Sequence, residues 1–204
     1  MELLLIRHGL PIRREGVDGP ADPELSAAGL EQARHLAAYL ADEKIDAVYA
    51  SPLRRARQTA DPVAATRNLE VGIVDAVAEW DRNSNEYVPI EELKAANDPR
   101  WHAMMRGEWD ADETPEEFRS RVVKALDELV DAHPGQKIAV SCHGGVINAY
   151  LAHVLGLPVS QGFFYPNYTS IHRIAASRSG HRSIVTVNET AHLRGTGLPM
   201  GVLQ

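Results

Sequence analysis

At 204 residues the chain suits one domain with a single sizeable core, and its even spread of apolar residues marks no linker that would divide residues 1–204. A formal net charge of -7 disfavours nonspecific binding to nucleic acid or to an acidic membrane surface. The single cysteine, Cys142, excludes an internal disulfide, and Met1-Glu2-Leu3 has neither the basic flank of a signal peptide nor the apolar length of a membrane span, so a cytoplasmic location is expected.

The apolar run Leu3-Leu4-Leu5-Ile6 reads as a buried strand that delivers Arg7, His8 and Gly9 to its C-terminal end, where open α/β sheets bind ligands. After Arg13, Arg14 and the turn-rich residues 16–23, Ser26 caps a helix whose apolar positions are Leu30, Ala33, Leu36, Ala37 and Leu40. A strand over 47–50 leads to Ser51 as cap and Pro52 in the first turn of a second helix, which carries Arg54, Arg55 and Arg57 and runs to about Thr66. Residues 71–74 form a third strand. The stretch from Trp80 to Trp109 is polar and aromatic with weak periodicity, and reads as a partly helical insertion over the sheet edge. Thr114-Pro115-Glu116-Glu117 has the capping-box pattern, and Phe118, Val122, Ala125, Leu126 and Leu129 make one apolar face behind it. A strand over 138–141 brings up His143. Gly144-Gly145 then opens a helix with Val146, Ile147, Tyr150, Leu151 and Val154 facing inward, ended by Gly156 and Pro158. Strands over 170–174 and 183–187 precede a loop-like tail from 190 to 204. This alternation predicts an α/β fold, a three-layer sandwich with a mostly parallel central sheet and helices on both faces.

Three segments place guanidinium or imidazole groups at strand-to-helix junctions: Arg7-His8-Gly9, the run Ser51-Pro52-Leu53-Arg54-Arg55-Ala56-Arg57-Gln58-Thr59-Ala60, and Ser141-Cys142-His143-Gly144-Gly145. Alone, each is also what a solvated strand edge or a satisfied core histidine looks like. Together, and in this order, they resemble the histidine phosphatase superfamily, the phosphoglycerate mutase-like group. The resemblance implies a metal-independent phosphatase, with His8 as the nucleophile that takes the phosphoryl group of a small phosphate ester and with Arg7, Arg55 and His143 on the phosphate oxygens. The family's order of Arg-Ala, any residue, a polar residue and Thr selects Arg55 over Arg54 and Arg57, which spacing alone does not separate.

Elementary chemistry agrees with those roles. An imidazole nitrogen attacks phosphorus only when neutral, and neighbouring guanidinium groups disfavour its protonation. Bidentate arginines also neutralise the equatorial oxygens of the transferring group, so neither metal nor cofactor is required. Gly9 and Gly144 let the backbone approach the oxyanion, and the helix after Gly144 adds amide donors.

The family usually places a general acid after the third strand, where Glu79 stands, with Asp81 two residues on as a competitor. From Asp81 to Tyr87 the chain departs from the glycine and tryptophan-containing segment of many members, which leaves the substrate pocket unassigned. A second departure, Leu10-Pro11, removes the hydroxyl that often follows Arg-His-Gly, and Arg13 or Arg14 stands in, with Arg14 taken as a substrate contact. Leu10-Pro11 also replaces the Glu-Ser pair of the mutases, so phosphoglycerate mutase is the second reading and a noncatalytic phosphate-binding module the third. Cys142 reads as a small buried residue, His35, His102, His133, His153, His172, His181 and His192 show no zinc-ligand spacing, and the aromatic run from Phe163 to Tyr168 reads as core or as a homodimer contact.

Overall fold

Strand β1 (Glu2–Arg7) lies inside the sheet of the computed structural model, which describes residues 1–106, 112–158 and 162–201. Its apolar run is buried throughout because a central strand covered by helices on both faces has no solvent side. Leu3 and Leu5 point into one core, with Val122, Leu126, Ile147 and Tyr150. Leu4 and Ile6 point into the other, with Leu36, Leu40 and Val63. The period-2 alternation of a strand thereby splits four consecutive residues between two helix layers, each fully buried side chain contributing about 1.5–3 kcal/mol.

The remaining elements are α1 (Ala27–Tyr39), β2 (Ala47–Ala50), α2 (Arg54–Ala65), β3 (Val71–Ile73), α3 (Ile90–Ala95), α4 (Pro99–Arg106), α5 (Pro115–Ala132), β4 (Lys137–Cys142), α6 (Gly144–Val154), β5 (Ile171–Ala176) and β6 (Arg182–Glu189). The sheet order is β3-β2-β4-β1-β5-β6, parallel from β3 to β1, with β5 and β6 antiparallel at one edge. The expected three-layer α/β sandwich is therefore present. Because β1 and β4 are adjacent and in register, Arg7 lies opposite Cys142, and His8 and His143 leave the sheet side by side.

Ser26 caps α1 by accepting from the Gly29 amide, and Thr114 and Glu117 form the complete capping box of α5. Leu30, expected on the inner face of α1, is 38% exposed. The start of α2 differs more. Leu53, not Ser51, is its N-cap residue, and the Arg54 amide is satisfied by the Asp22 carboxylate at 2.9 Å. Pro52 lies outside the helix, and Ser51 turns into the interior instead. The expected insertion contains α3 and α4, while Trp109 at its far end lies outside the described residues. The tail carries one 3-10 turn at Ala191–Leu193, and residues 202–204 lie outside the described ones. Among the described residues no helix is long and apolar enough to cross a membrane.

Candidate active site

The C-terminal ends of β1 and β4 are pinned by main-chain hydrogen bonds that continue past the strands. The Arg7 amide donates to the Ser170 carbonyl at 3.1 Å and the His8 amide to that of Cys142 at 3.0 Å. Next to His8, Thr169 holds a φ of 52°, unusual for a β-branched residue, and its amide faces the His8 carbonyl at 3.4 Å. His8 Nδ1 lies 2.7 Å from the Gly9 carbonyl. A carbonyl only accepts, so Nδ1 carries the proton and Nε2 keeps the lone pair. Burial, then Arg55 and Arg7, hold the His8 pKa well below that of an ordinary histidine, which keeps the ring neutral.

Arg7 and Arg55 are both buried beside it. The Arg7 guanidinium sits 4.2 Å from the Tyr168 ring centroid and donates through Nη1 to the Pro166 carbonyl at 2.6 Å. Arg55 lies 4.7 Å from the Tyr87 ring and pairs with Asp81 at 2.9 Å. His143 is fully buried beside His8, ring centroids 5.2 Å apart, and burial with Arg55 keeps it neutral as well. The structure thus brings together Arg7, His8, Arg55 and His143 from three separate segments.

Glu79 is buried across from them, its two oxygens accepting from the Gly145 amide at 2.8 Å and the Trp80 amide at 3.1 Å. Desolvation, reinforced by the Asp81 charge, pushes its pKa up to about 7. Gly145 is required by this contact, since a Cβ there would stand 2.3 Å from a Glu79 oxygen. Arg121 of α5 holds the loop from behind, donating to the carbonyls of Ala76 at 2.7 Å and Ala78 at 2.8 Å while it pairs with Glu113.

Arg7, His8, Arg55, Glu79 and Gly144 line a cavity of about 800 Å³, and His143 lies buried behind His8, outside that lining. The rest of its lining mixes aromatic rings, Trp80, Phe118, Phe164 and Tyr165, with charged and polar groups such as Glu86, Arg100, Glu113 and Arg119. The run from Phe163 to Tyr168, read from sequence as core or dimer contact, supplies part of this wall and the cushion under Arg7. Asn148, unmarked in the sequence, fastens that wall by accepting from the Phe163 amide at 2.9 Å. Gly9 has a packing duty: its amide donates to Thr59 at 3.0 Å, and a Cβ would meet the Gly29 carbonyl of α1 at 2.8 Å. Arg14 and Arg13 stand apart from the cavity, paired with Glu24 at 3.1 Å and with Glu15 and Glu92 respectively. Arg54 likewise faces Glu24 at 2.9 Å. The Cys142 thiol is buried, which raises its pKa and makes it a poor nucleophile.

Residues 3–190 match the sequence profile of the histidine phosphatase superfamily (branch 1). The chain belongs to this superfamily. It is 29% identical to phosphoserine phosphatase 1 of Hydrogenobacter thermophilus over 95% of the chain and 94% of that protein. It is 31% identical to the adenosylcobalamin/alpha-ribazole phosphatase of Escherichia coli, over 78% of the chain and 81% of the relative. The solved structure of phosphoserine phosphatase from Entamoeba histolytica in complex with 3-phosphoglyceric acid superposes with a TM-score of 0.74 at 25% identity, covering 94% of this chain and 98% of that one.

Proposed function

We propose that the protein, a phosphoric monoester hydrolase of this superfamily, hydrolyses a small phosphorylated metabolite through a phosphohistidine on His8, without a metal ion. One observation carries the reading. Arg7 Nε, Arg55 Nε and His143 Nδ1 are buried and make no hydrogen bond among the described residues, although buried donors are ordinarily paired. Arg67 Nε, Arg182 Nε and His192 Nδ1 are in the same state elsewhere, but the first three gather around His8. Three such nitrogens around one neutral imidazole suit a tetrahedral anion, and the two guanidiniums supply the charge that a metal ion would otherwise bring.

In the first half-reaction the lone pair of His8 Nε2 attacks phosphorus as the ester P–O bond breaks, and the leaving oxygen takes the Glu79 proton. In the second, the Glu79 carboxylate takes a proton from water, whose oxygen attacks phosphorus, and the P–N electron pair returns to His8. A carboxyl with a pKa of about 7 suits both duties near neutrality. Asp81, the competing acid, is engaged by Arg55, which favours Glu79. The cavity exceeds a phosphate group by far, and its mixed aromatic and charged lining leaves room for the body of the ester. Phosphoserine and alpha-ribazole phosphate, after the relatives, head the substrate panel.

The test is capture of labelled phosphate on the protein. An acid-labile, base-stable phosphoryl bond should form in the wild type and be absent from a folded His8→Ala variant that has lost turnover; label persisting in His8→Ala overturns the assignment. Activity should survive exhaustive chelation, and loss that a divalent ion restores would refute the metal-free mechanism. Release of inorganic phosphate, without 2,3-bisphosphoglycerate-dependent transfer between hydroxyls of phosphoglycerate, separates the phosphatase from the mutase.

A further inference from the structure

We infer that Ser51 fixes the tautomer of His143, giving its hydroxyl proton to Nε2 so that the imidazole proton stays on Nδ1 and is offered to the phosphate. The inference deepens the phosphatase reading and rests on it. Ser51 Oγ lies 2.7 Å from His143 Nε2 and also accepts the Leu53 amide at 3.3 Å. A hydroxyl has one proton to give. With the amide occupying an Oγ lone pair, the one acceptor within hydrogen-bond reach of that proton among the described residues is His143 Nε2.

The reverse assignment fails on two counts. If Nε2–H donated to Ser51, the hydroxyl proton would have no acceptor among the described residues, in a fully buried position. Nδ1 would then be a bare acceptor with no donor, its lone pair opposed to a phosphate oxygen. In the forward assignment the one unmatched group is an N–H, and it joins Arg7 Nε and Arg55 Nε as a third donor of the same kind. Protonation at both nitrogens is disfavoured by burial and by Arg55.

The backbone holds the serine where this bond requires it. The Ser51 amide donates to the Ser141 carbonyl at 3.0 Å, two residues before His143, which extends the β2–β4 pairing by one step. This explains why Ser51 does not cap α2: its hydroxyl is committed to the histidine, and Asp22 takes over the Arg54 amide. Ser51 touches no substrate in this account and is a positioning residue.

Long-range proton–nitrogen spectra of the whole protein labelled with 15N-histidine, with His143 assigned by its absence in His143→Gln, read the tautomer directly. The wild type should show protonated Nδ1 and bare Nε2 at His143; protonated Nε2 overturns the inference without touching the phosphatase reading. In Ser51→Ala the proton should redistribute toward Nε2, phosphate and vanadate should bind more weakly, and kcat/KM should fall about 10- to 100-fold, as when the hydrogen-bond partner that orients a functional histidine is removed. Ser51→Cys keeps the volume and, as a weak donor, should lie between the two. A Ser51→Ala protein that loses activity with the wild-type tautomer intact, or keeps both, also overturns it. If Ser51→Ala does not fold, the wild-type spectrum and Ser51→Cys decide.

Discussion

Arg7, His8 and His143 stand at the carboxyl ends of two adjacent parallel strands, whereas Glu79, Asp81 and Tyr87 hang on the long connection from β3 towards α5. The first group is placed by main-chain bonds of the sheet and its continuation, which no single side chain can undo. In the second, Tyr87 shares a main-chain bridge with Arg14, but the two carboxylates are placed by side-chain contacts: Glu79 on the Gly145 amide and Asp81 on Arg55, with Arg121 on the carbonyls of Ala76 and Ala78 behind them. In the proposed reaction, anion binding is thus anchored in the regular architecture and proton donation is attached to it by a few bonds. Substitutions at the anion end should remove function, and substitutions on the loop should tune it.

The sharpest test is Arg55, which belongs to both regions. Arg55→Ala should lower kcat/KM for an aryl phosphate by about 10²–10³, the cost of one preorganised charge-stabilising donor. Arg54→Ala and Arg14→Ala, whose side chains face Glu24, should leave it nearly unchanged. A larger loss in Arg54→Ala would move the phosphate contact to its neighbour.

Glu79→Gln should slow hydrolysis of an alkyl phosphate by about 10² and that of a nitrophenyl phosphate far less, since a nitrophenolate leaves without a proton. Equal losses on both substrates would remove Glu79 from the acid's role. The wild-type pH profile should agree: the protonated carboxyl is the acid, so kcat/KM for the alkyl ester should decline as pH rises through about 7, and Glu79→Gln should abolish that limb.

The smallest effect is expected from Asp81→Asn. Its negative charge adds to burial in holding the proton on Glu79, so its removal should shift the alkaline limb to lower pH while burial keeps it above the ordinary 4.5 of a glutamate. If Asp81→Asn instead takes over the leaving-group dependence, Asp81 is the acid.

The same division decided what could be read from sequence. Runs such as Leu3 to Ile6 announce strands, and the residues at their ends acquire positions from the sheet, so Arg7, His8 and His143 were legible together with the order of layers. Glu79 was reached by resemblance, because nothing local distinguishes it from Asp81; what does is the tertiary approach of Gly145. Ser51 misled, since Ser-Pro before a helical pattern is a cap signal, and no local pattern reveals a hydroxyl already taken by a histidine 92 positions away. Arg14 was a charge looking for a duty, and Glu24 satisfies it at the surface. The aromatic wall escaped because Phe164 and Tyr165 lie on an irregular segment with no periodicity to show which way a ring turns.

Arg121 ties part of the cavity lining and Glu79, the proposed proton donor, into one mechanical unit. The guanidinium that grips Glu113, a residue of the cavity lining, also grips the turn from which Glu79 projects. Grafting the stretch around Glu113 from a relative to change substrate range would therefore transplant half of a clasp. A chimera that leaves Arg121 without its carboxylate partner would inherit a new pocket and a misplaced acid together, so the exchangeable module must include the first two turns of α5.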